Sequence, residues 1–325
     1  MNTLTSNKMS WLMKREYWEH KGGFFWAPAV VGAIMTLFLA VSLIIGVAMG
    51  KHDGFNINGA HMNNLSSAMD AADRTQFVQA LTQGYMGIGA PLFMVLTFVV
   101  FFFCLGSLFD ERKDRSVLFW KSLPVSDGDT VLSKVATALV AAPLIALAFA
   151  TVTSVVSLIF VVIAAAFMGV NVAGDVLASP AVYLAPLEAL AILPVYIAWA
   201  LPTVGWLMLV SAWSRTKPFL WAVGVPVLSG ALLSWFNAMF DFDWNVSWYW
   251  QHIVGRGLLS IAPGSWFGMI HNAAELRVEH GNVGMTTLVT ESWRAFASAS
   301  MWIGAAAGVG MIYAAARIRR WKDEG

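Results

Sequence analysis

The chain has 325 residues, 58% of them hydrophobic and 12% charged, with 16 Trp, 21 Phe and a formal net charge of +1; its mean hydropathy is +0.66. This composition excludes an ordinary soluble globular domain and places the chain among membrane proteins. The balanced charge points to neither nucleic acid nor an acidic ligand, and a lone cysteine, Cys104, in an apolar run excludes an intrachain disulfide framework and a multi-cysteine metal site.

The first predicted element is a helix over about 7–22. Met9, Met13 and Tyr17 fall on one side of its wheel, and Trp11 and Trp18 nearly opposite, with Arg15 between. A helix lying on a membrane shows one apolar face; two faces fit either a surface anchor or a helix wedged between lipid and a second protein. The apolar run from Phe24 to Met49 is too long for the cleaved core of a signal peptide and reads as a retained anchor.

Six runs are long enough to cross a bilayer, at about 25–49, 85–109, 131–169, 181–212, 219–240 and 295–316. The third would be about 58 Å long as one helix, so it must tilt, kink at Pro143 or project from the bilayer. The fourth contains Pro180, Pro186, Pro194 and Pro202 and is expected to bend or break. It also carries Glu188, which must face protein or water if it lies deep, as a pathway residue or a structural hydrogen-bonding group.

Between the first two spans, Met62, Leu65, Met69, Ala72, Gln76 and Ala80 recur at helical spacing and predict an amphipathic helix near the membrane surface. Ser126 with Asp129 reads as a capping box before the third span, Ser179-Pro180 as a cap and first-turn proline for the fourth, and Lys217-Pro218 as the opening of the fifth. The segment 241–294 is rich in Trp and Tyr suited to a membrane–water boundary, with short helices expected to break at Gly255, Gly257 and Pro263-Gly264. Its His252, His271 and His280 lack ligand spacing, so no metal site is expected. In the sixth span, Gly304 and Gly308 with Ala305 to Ala307 predict a small-residue packing face.

Orientation follows the distribution of bases. With six crossings, one side holds both termini and Lys8, Lys14, Arg15, Lys21, Arg112, Lys113, Arg115, Lys121, Lys134, Arg215, Lys217, Arg317, Arg319, Arg320 and Lys322; the other keeps Lys51, Arg74, Arg256, Arg277 and Arg294. The first side is expected to be cytoplasmic.

On that side stands "LFDERKDRSVLFWKSLPVSDGD", residues 108–129. A solvated, orienting loop explains its bases alone. It does not explain the acids Asp110, Glu111 and Asp114, or the apolar Val117, Leu118, Phe119 and Trp120 that follow. Pro124 then stops the segment before the next helix cap. A short helix with charge at one end and aromatic surface at the other suits a docking partner.

Glu111-Arg112, a short helix, "SLPVSD" and Lys134 in the next span resemble the cytoplasmic loop of the ABC-2 type transporter permeases, bacterial relatives of the ABCG-type exporters. Asp114-Arg115-Ser116 stands where that family more often shows Gly-Thr or Gly-Ser. The resemblance implies an all-α integral membrane protein: a single permease domain over 1–325 with six spans, cytoplasmic termini, an N-terminal connecting helix (Trp11, Arg15, Trp18), a cytoplasmic coupling loop over 110–130 and short outer helices between spans 5 and 6. It implies that Glu111 and Arg112, flanked by Lys113, Asp114 and Arg115, orient the loop by ion pairs. Val117, Leu118, Phe119, Trp120, Leu123 and Pro124 would dock against a separate ATP-binding subunit. ATP and Mg would be held by that partner, and a second permease, identical or sister, would complete the complex in a bacterial inner membrane. No phosphate-binding loop or hydrolase motif occurs, so the chain itself is expected to hold no cofactor and not to be an enzyme. The expected activity is export of a hydrophobic or amphipathic substrate, such as a peptide, lipid or drug, by alternating access. The alternatives are a membrane sensor or assembly module of such a complex without transport, and a secondary transporter, which needs more intramembrane charge and internal repeats.

Overall fold

The computed structural model describes residues 2–53, 55–57, 60–62, 69–114, 125–270 and 284–322. Apart from a short antiparallel pair, Phe55–Ile57 with Ala60–Met62, its regular structure is helical. Among the described residues, six helical runs are long and apolar enough to cross a membrane: span 1 (Gly22–Met49), span 2 (Ala71–Lys113), span 3 (Asp127–Phe167), span 4 (Pro180–Trp213), span 5 (Leu220–Phe240) and span 6 (Ala299–Trp321). Large apolar side chains such as Ile34, Phe38, Phe98, Ile159, Leu228 and Ile303 are exposed, a surface that suits lipid and not water. The chain is a multi-pass membrane protein.

Proline sets the local shape of four spans. Pro28, Pro143 and Pro226 each sit two residues beyond a five-residue π-helical stretch, at Gly22–Trp26, Thr137–Ala141 and Leu220–Gly224. Pro91 sits two residues beyond a 3₁₀ turn, Tyr85–Gly89. A proline in an α-helix lacks an N–H and its ring strikes the carbonyl four residues back; widening or tightening the preceding turn moves that carbonyl aside. In span 3 the expected kink at Pro143 takes this form, and the 41-residue run continues to Phe167.

Span 4 breaks. Helix Pro180–Ala191 ends at Ile192, and Leu193–Trp213 follows with Pro194 in its first turn. The second piece, at 21 residues and about 31 Å, crosses a bilayer alone. Ser179 occupies the cap position but makes no cap hydrogen bond, whereas Ser126 accepts the Asp129 N–H at 3.0 Å. Lys217 takes a left-handed φ of 47° before the span 5 helix.

Two regions differ from the reading of the sequence. The expected amphipathic helix begins at Ala71, not near Met62, which lies in a strand; Leu65 lies outside the described residues. Asp70 and Asp73 form a reciprocal capping box there, a strong start signal. The helix is the first part of span 2 and runs without a gap into its apolar part; Arg74 ties it to the segment after span 3, pairing with Asp175 at 2.8 Å and donating to the Asn171 carbonyl at 2.7 Å. In the segment after span 5, helical structure continues over Val246–Tyr249, Trp250–Gly255 and Arg256–Leu259. Gly255 and Gly257 do not interrupt it: Gly255 ends the π-helical stretch and Gly257 lies in the α-helical turn that follows. The break falls at Pro263-Gly264, where Gly264 has a φ of 85°. His271 and His280 lie outside the described residues.

The main core joins spans 2, 3, 4 and 6 through Phe103, Cys104, Leu139, Trp199, Met208 and Met301. Spans 4 and 6 form the most extensive helix pair. Their axes come close because Gly205 faces the Gly308 backbone and Gly308 faces the Leu201 carbonyl, so an added Cβ would collide at either glycine. The small-residue face expected in span 6 is thus packed within the chain. Spans 1 and 5 are peripheral; span 5 is held by Trp206 Nε1 donating to the Ala222 carbonyl at 2.9 Å and by Trp250 Nε1 donating to Ser234 Oγ at 3.0 Å.

Candidate functional site

Charged groups from four separate elements meet at the end of the bundle that carries both termini. The N-terminal helix, Asn2–Glu19, buries Leu12 and, one turn on, Glu16, and leaves Trp11 and Trp18 exposed. Its most buried stripe is thus centred on a carboxylate, beside the half-buried Met9, Met13 and Tyr17. Lys14 and Lys21 sit over the Trp11 and Trp18 rings, at 5.3 and 5.2 Å, an arrangement suited to an interface between water and lipid or protein.

Beyond the apolar part of span 2, the turn of helix Phe109–Lys113 carries Glu111. Ser211, near the end of span 4, fixes that turn: its hydroxyl accepts the N–H groups of Leu108 and Phe109 at 3.1 and 3.0 Å. Arg112 donates to the Ser211 and Ser214 carbonyls at 2.5 and 3.0 Å, closing the C-terminus of span 4, where free carbonyls attract a cation. The helix Asp127–Ala136 presents Asp127 and, two turns later, Lys134. From the end of span 6 comes Arg319, buried beneath the exposed Arg317 and Arg320.

Lys134 is 1% exposed and Glu16 0%. The Lys134 ammonium donates to Glu16 Oε2 at 2.9 Å and pairs with Glu111 Oε1 at 3.0 Å. Glu111 also receives Arg319 Nη1 at 2.6 Å and Arg15 Nη2 at 3.3 Å. Arg319 Nε reaches Asp127 at 3.2 Å, and Arg15 pairs with Glu16. Arg15, Lys134 and Arg319 thus offset Glu16, Glu111 and Asp127, as burial requires, and at the exposed rim Arg15 also reaches Glu19 at 3.6 Å. Burial pushes the Glu111 carboxyl up, but the Lys134 and Arg319 charges beside it outweigh burial and hold it below its ordinary value. Glu16, Glu19 and His20 come close enough to share a cation, yet the Glu16 oxygens are already engaged by Arg15 and Lys134.

Of the residues singled out in the sequence, Arg15, Glu111 and Arg112 converge here, while Lys113 and Asp114 are exposed at the rim. Arg112 donates to helix carbonyls, those of Leu108, Ser211 and Ser214. Arg115, Val117, Leu118, Phe119, Trp120, Leu123 and Pro124 lie outside the described residues. Glu188 lies at the opposite end, on the short helix ahead of the break in span 4, accepting the Thr286 hydroxyl at 2.9 Å. It faces a cavity of about 380 Å³ with Thr82, Gln83 and Thr287. Sequence reasoning did not single out Glu16, Asp127, Ser211 or Arg319. Glu16 is detectable in principle, as the acid one turn from Leu12 on the face away from both tryptophans; Arg319 is indistinguishable in sequence from its basic neighbours.

Comparison with known protein families, with curated proteins and with solved structures finds no match to this chain.

Proposed function

We propose that this chain is the permease subunit of an ATP-driven exporter of the ABC-2 type, with the terminal-bearing end in the cytoplasm of a bacterium and the spans in its inner membrane. The observation that carries the reading is Glu111. This residue, at the root of the charged loop, binds Lys134 of span 3, Arg319 of span 6 and Arg15 of the N-terminal helix at once. The root of the loop is therefore fixed to three other helices. A push on residues 115–124 is delivered to the ends of spans 2, 3 and 6 and, through Arg112 and Ser211, to span 4.

A separate ATP-binding subunit docks on Val117 to Pro124 and holds the ATP and Mg. Its closure rocks the spans, and a second permease, identical or sister, completes a central cavity. Apolar, aromatic-rich walls suit a hydrophobic or amphipathic cargo. The chain performs no chemistry of its own on this reading.

The test is purification of the chain from its native membrane under mild detergent. An ATP-binding protein should accompany the wild type and be lost from Leu123→Asp. If no ATP-binding protein ever accompanies the chain, the reading fails.

A further inference from the structure

A further buried cation lies about 22 Å from the ion network along span 6, counted from Arg319 back to Gly304. Arg256, in the segment after span 5, is 5% exposed. Its guanidinium lies over the Trp199 ring, 4.1 Å from the centroid. Nη1 donates to Ser300 Oγ, Nη2 to the Met301 carbonyl at 3.4 Å, and Nε has no partner. Gly304 makes the room, since a Cβ there would strike the guanidinium. No carboxylate pairs with Arg256 among the described residues. A hydroxyl, a carbonyl and an indole face spread its charge without neutralising it, and an unpaired buried charge is costly.

Against this cation lies a cavity of about 520 Å³ with no acidic residue in its lining, a size suited to a small ligand. Its wall has a direction. Ile303, Ala307 and Met311 line it at one-turn intervals along span 6, a strip about 12 Å long leading from Arg256 toward the middle of the span. Ile303, Ile253 and Trp248 are exposed, so in a spanning protein the cavity opens to the bilayer. Arg256 itself meets the first turn of span 6, Ser300 to Gly304, the depth at which a leaflet places its polar groups.

The geometry points to a binding site for an anionic phospholipid, with its phosphate on Arg256 and one acyl chain along Ile303, Ala307 and Met311. The charge supplies what the guanidinium lacks, and the strip supplies apolar contact below it. The site is independent of whether the chain transports anything.

The full-length protein, reconstituted in phosphatidylcholine nanodiscs and titrated with phosphatidylglycerol, tests this by lipid retention in native mass spectrometry and by thermal unfolding. The wild type should retain phosphatidylglycerol in preference to phosphatidylcholine. Arg256→Gln should weaken that preference about tenfold or more. Ala307→Trp fills the acyl strip and leaves Ser300, Met301 and Trp199, the partners of Arg256, in place; it should lose the preference while melting like the wild type in pure phosphatidylcholine, and it decides the matter if Arg256→Gln does not fold. The proposal is overturned if the wild type shows no preference, or if Ala307→Trp keeps it. Inorganic phosphate alone reproducing the thermal shift would make this a free-anion site and overturn the lipid assignment. Loss of self-association in Ala307→Trp with lipid retention intact would assign the cavity to a second copy of the chain.

Discussion

Replacing Lys134 by methionine tests whether the ion network docks the N-terminal helix. The substitution keeps a long apolar stem and removes the ammonium that Glu16 and Glu111 share at 2.9 and 3.0 Å. Those distances put the two carboxylate oxygens no more than about 6 Å apart, and two unit charges at that separation repel by about 3 kcal/mol at an effective dielectric of about 20. Loss of one partner from a buried pair falls in the same range, about 3–5 kcal/mol. Arg15, which already touches both carboxylates, relieves part of the repulsion, so the lower figure applies. Local opening of residues 9–20 should then rise about a hundredfold, measured by amide hydrogen exchange of the detergent-solubilised protein. Adding Glu16→Gln should restore much of the protection, because the second change removes one of the two repelling charges; the cycle should show a coupling of about 0.5–3 kcal/mol. Exchange in Lys134→Met within about threefold of the wild type would refute the docking role and leave Leu12 and Tyr17 to hold the helix.

The lowered Glu111 carboxyl gives a pH dependence with a fixed sign. Its stabilisation is complete above the ordinary glutamate value of about 4.3 and is lost as pH falls through the lowered folded value, so exchange protection of residues 9–20 should hold at neutral pH and fall only in acid. Gly308→Ala should destabilise the fold by about 1–3 kcal/mol, because its Cβ meets the Leu201 backbone, whereas Gly310→Ala, with nothing within 4 Å, should leave the melting temperature unchanged; equal melting of the two variants would remove the close span 4–span 6 contact. Arg112→Ala should fray the end of span 4 and speed exchange near Ser214, with Arg112→Lys intermediate because one ammonium replaces the two-carbonyl fork. Trp120→Ala should weaken capture of the proposed ATP-binding subunit and leave membrane insertion intact; unchanged capture would sink the docking assignment.

The number of spans is legible because a run such as Phe24–Met49 has one stable solution in a bilayer, a helix with its polar backbone satisfied internally. Their internal shape is only half legible. Each proline announces a disturbance, but whether the turn before it widens, as ahead of Pro143, or tightens, as ahead of Pro91, depends on the packing of the neighbouring helix. Where the disturbance becomes a break, at Ile192, the sequence holds the cause in Pro194 but not the choice among four prolines. The start of the helix at Ala71 was readable too, since Asp70 and Asp73 satisfy each other's backbone N–H groups. A period of apolar residues running back through Met62 masked it, because spacing alone does not register where a helix is capped.

The site divides along a different line. Glu111 stands out because an acid in a basic loop needs a reason, and the reason is three cations drawn from span 3, span 6 and the N-terminal helix. Those partners lie 23, 208 and 96 positions away in the chain, and no local pattern ties them together; Arg319 and Arg15 each read by themselves as one more positive-inside residue. The rule that orients the protein therefore hides the residues that fasten it. Arg317, Arg319 and Arg320 count equally toward orientation, yet only Arg319 is buried, on the face it shares with Ala315 one turn earlier. Had the bases served orientation alone, their removal would change topology and nothing else. Because Arg319 neutralises a carboxylate in the core of the joint, Arg319→Gln should instead leave insertion unchanged and release both Glu111 and Asp127, raising exchange at residues 109–114 and 127–134 together. An unchanged pattern in either segment would separate the two contacts and break the joint into independent pairs.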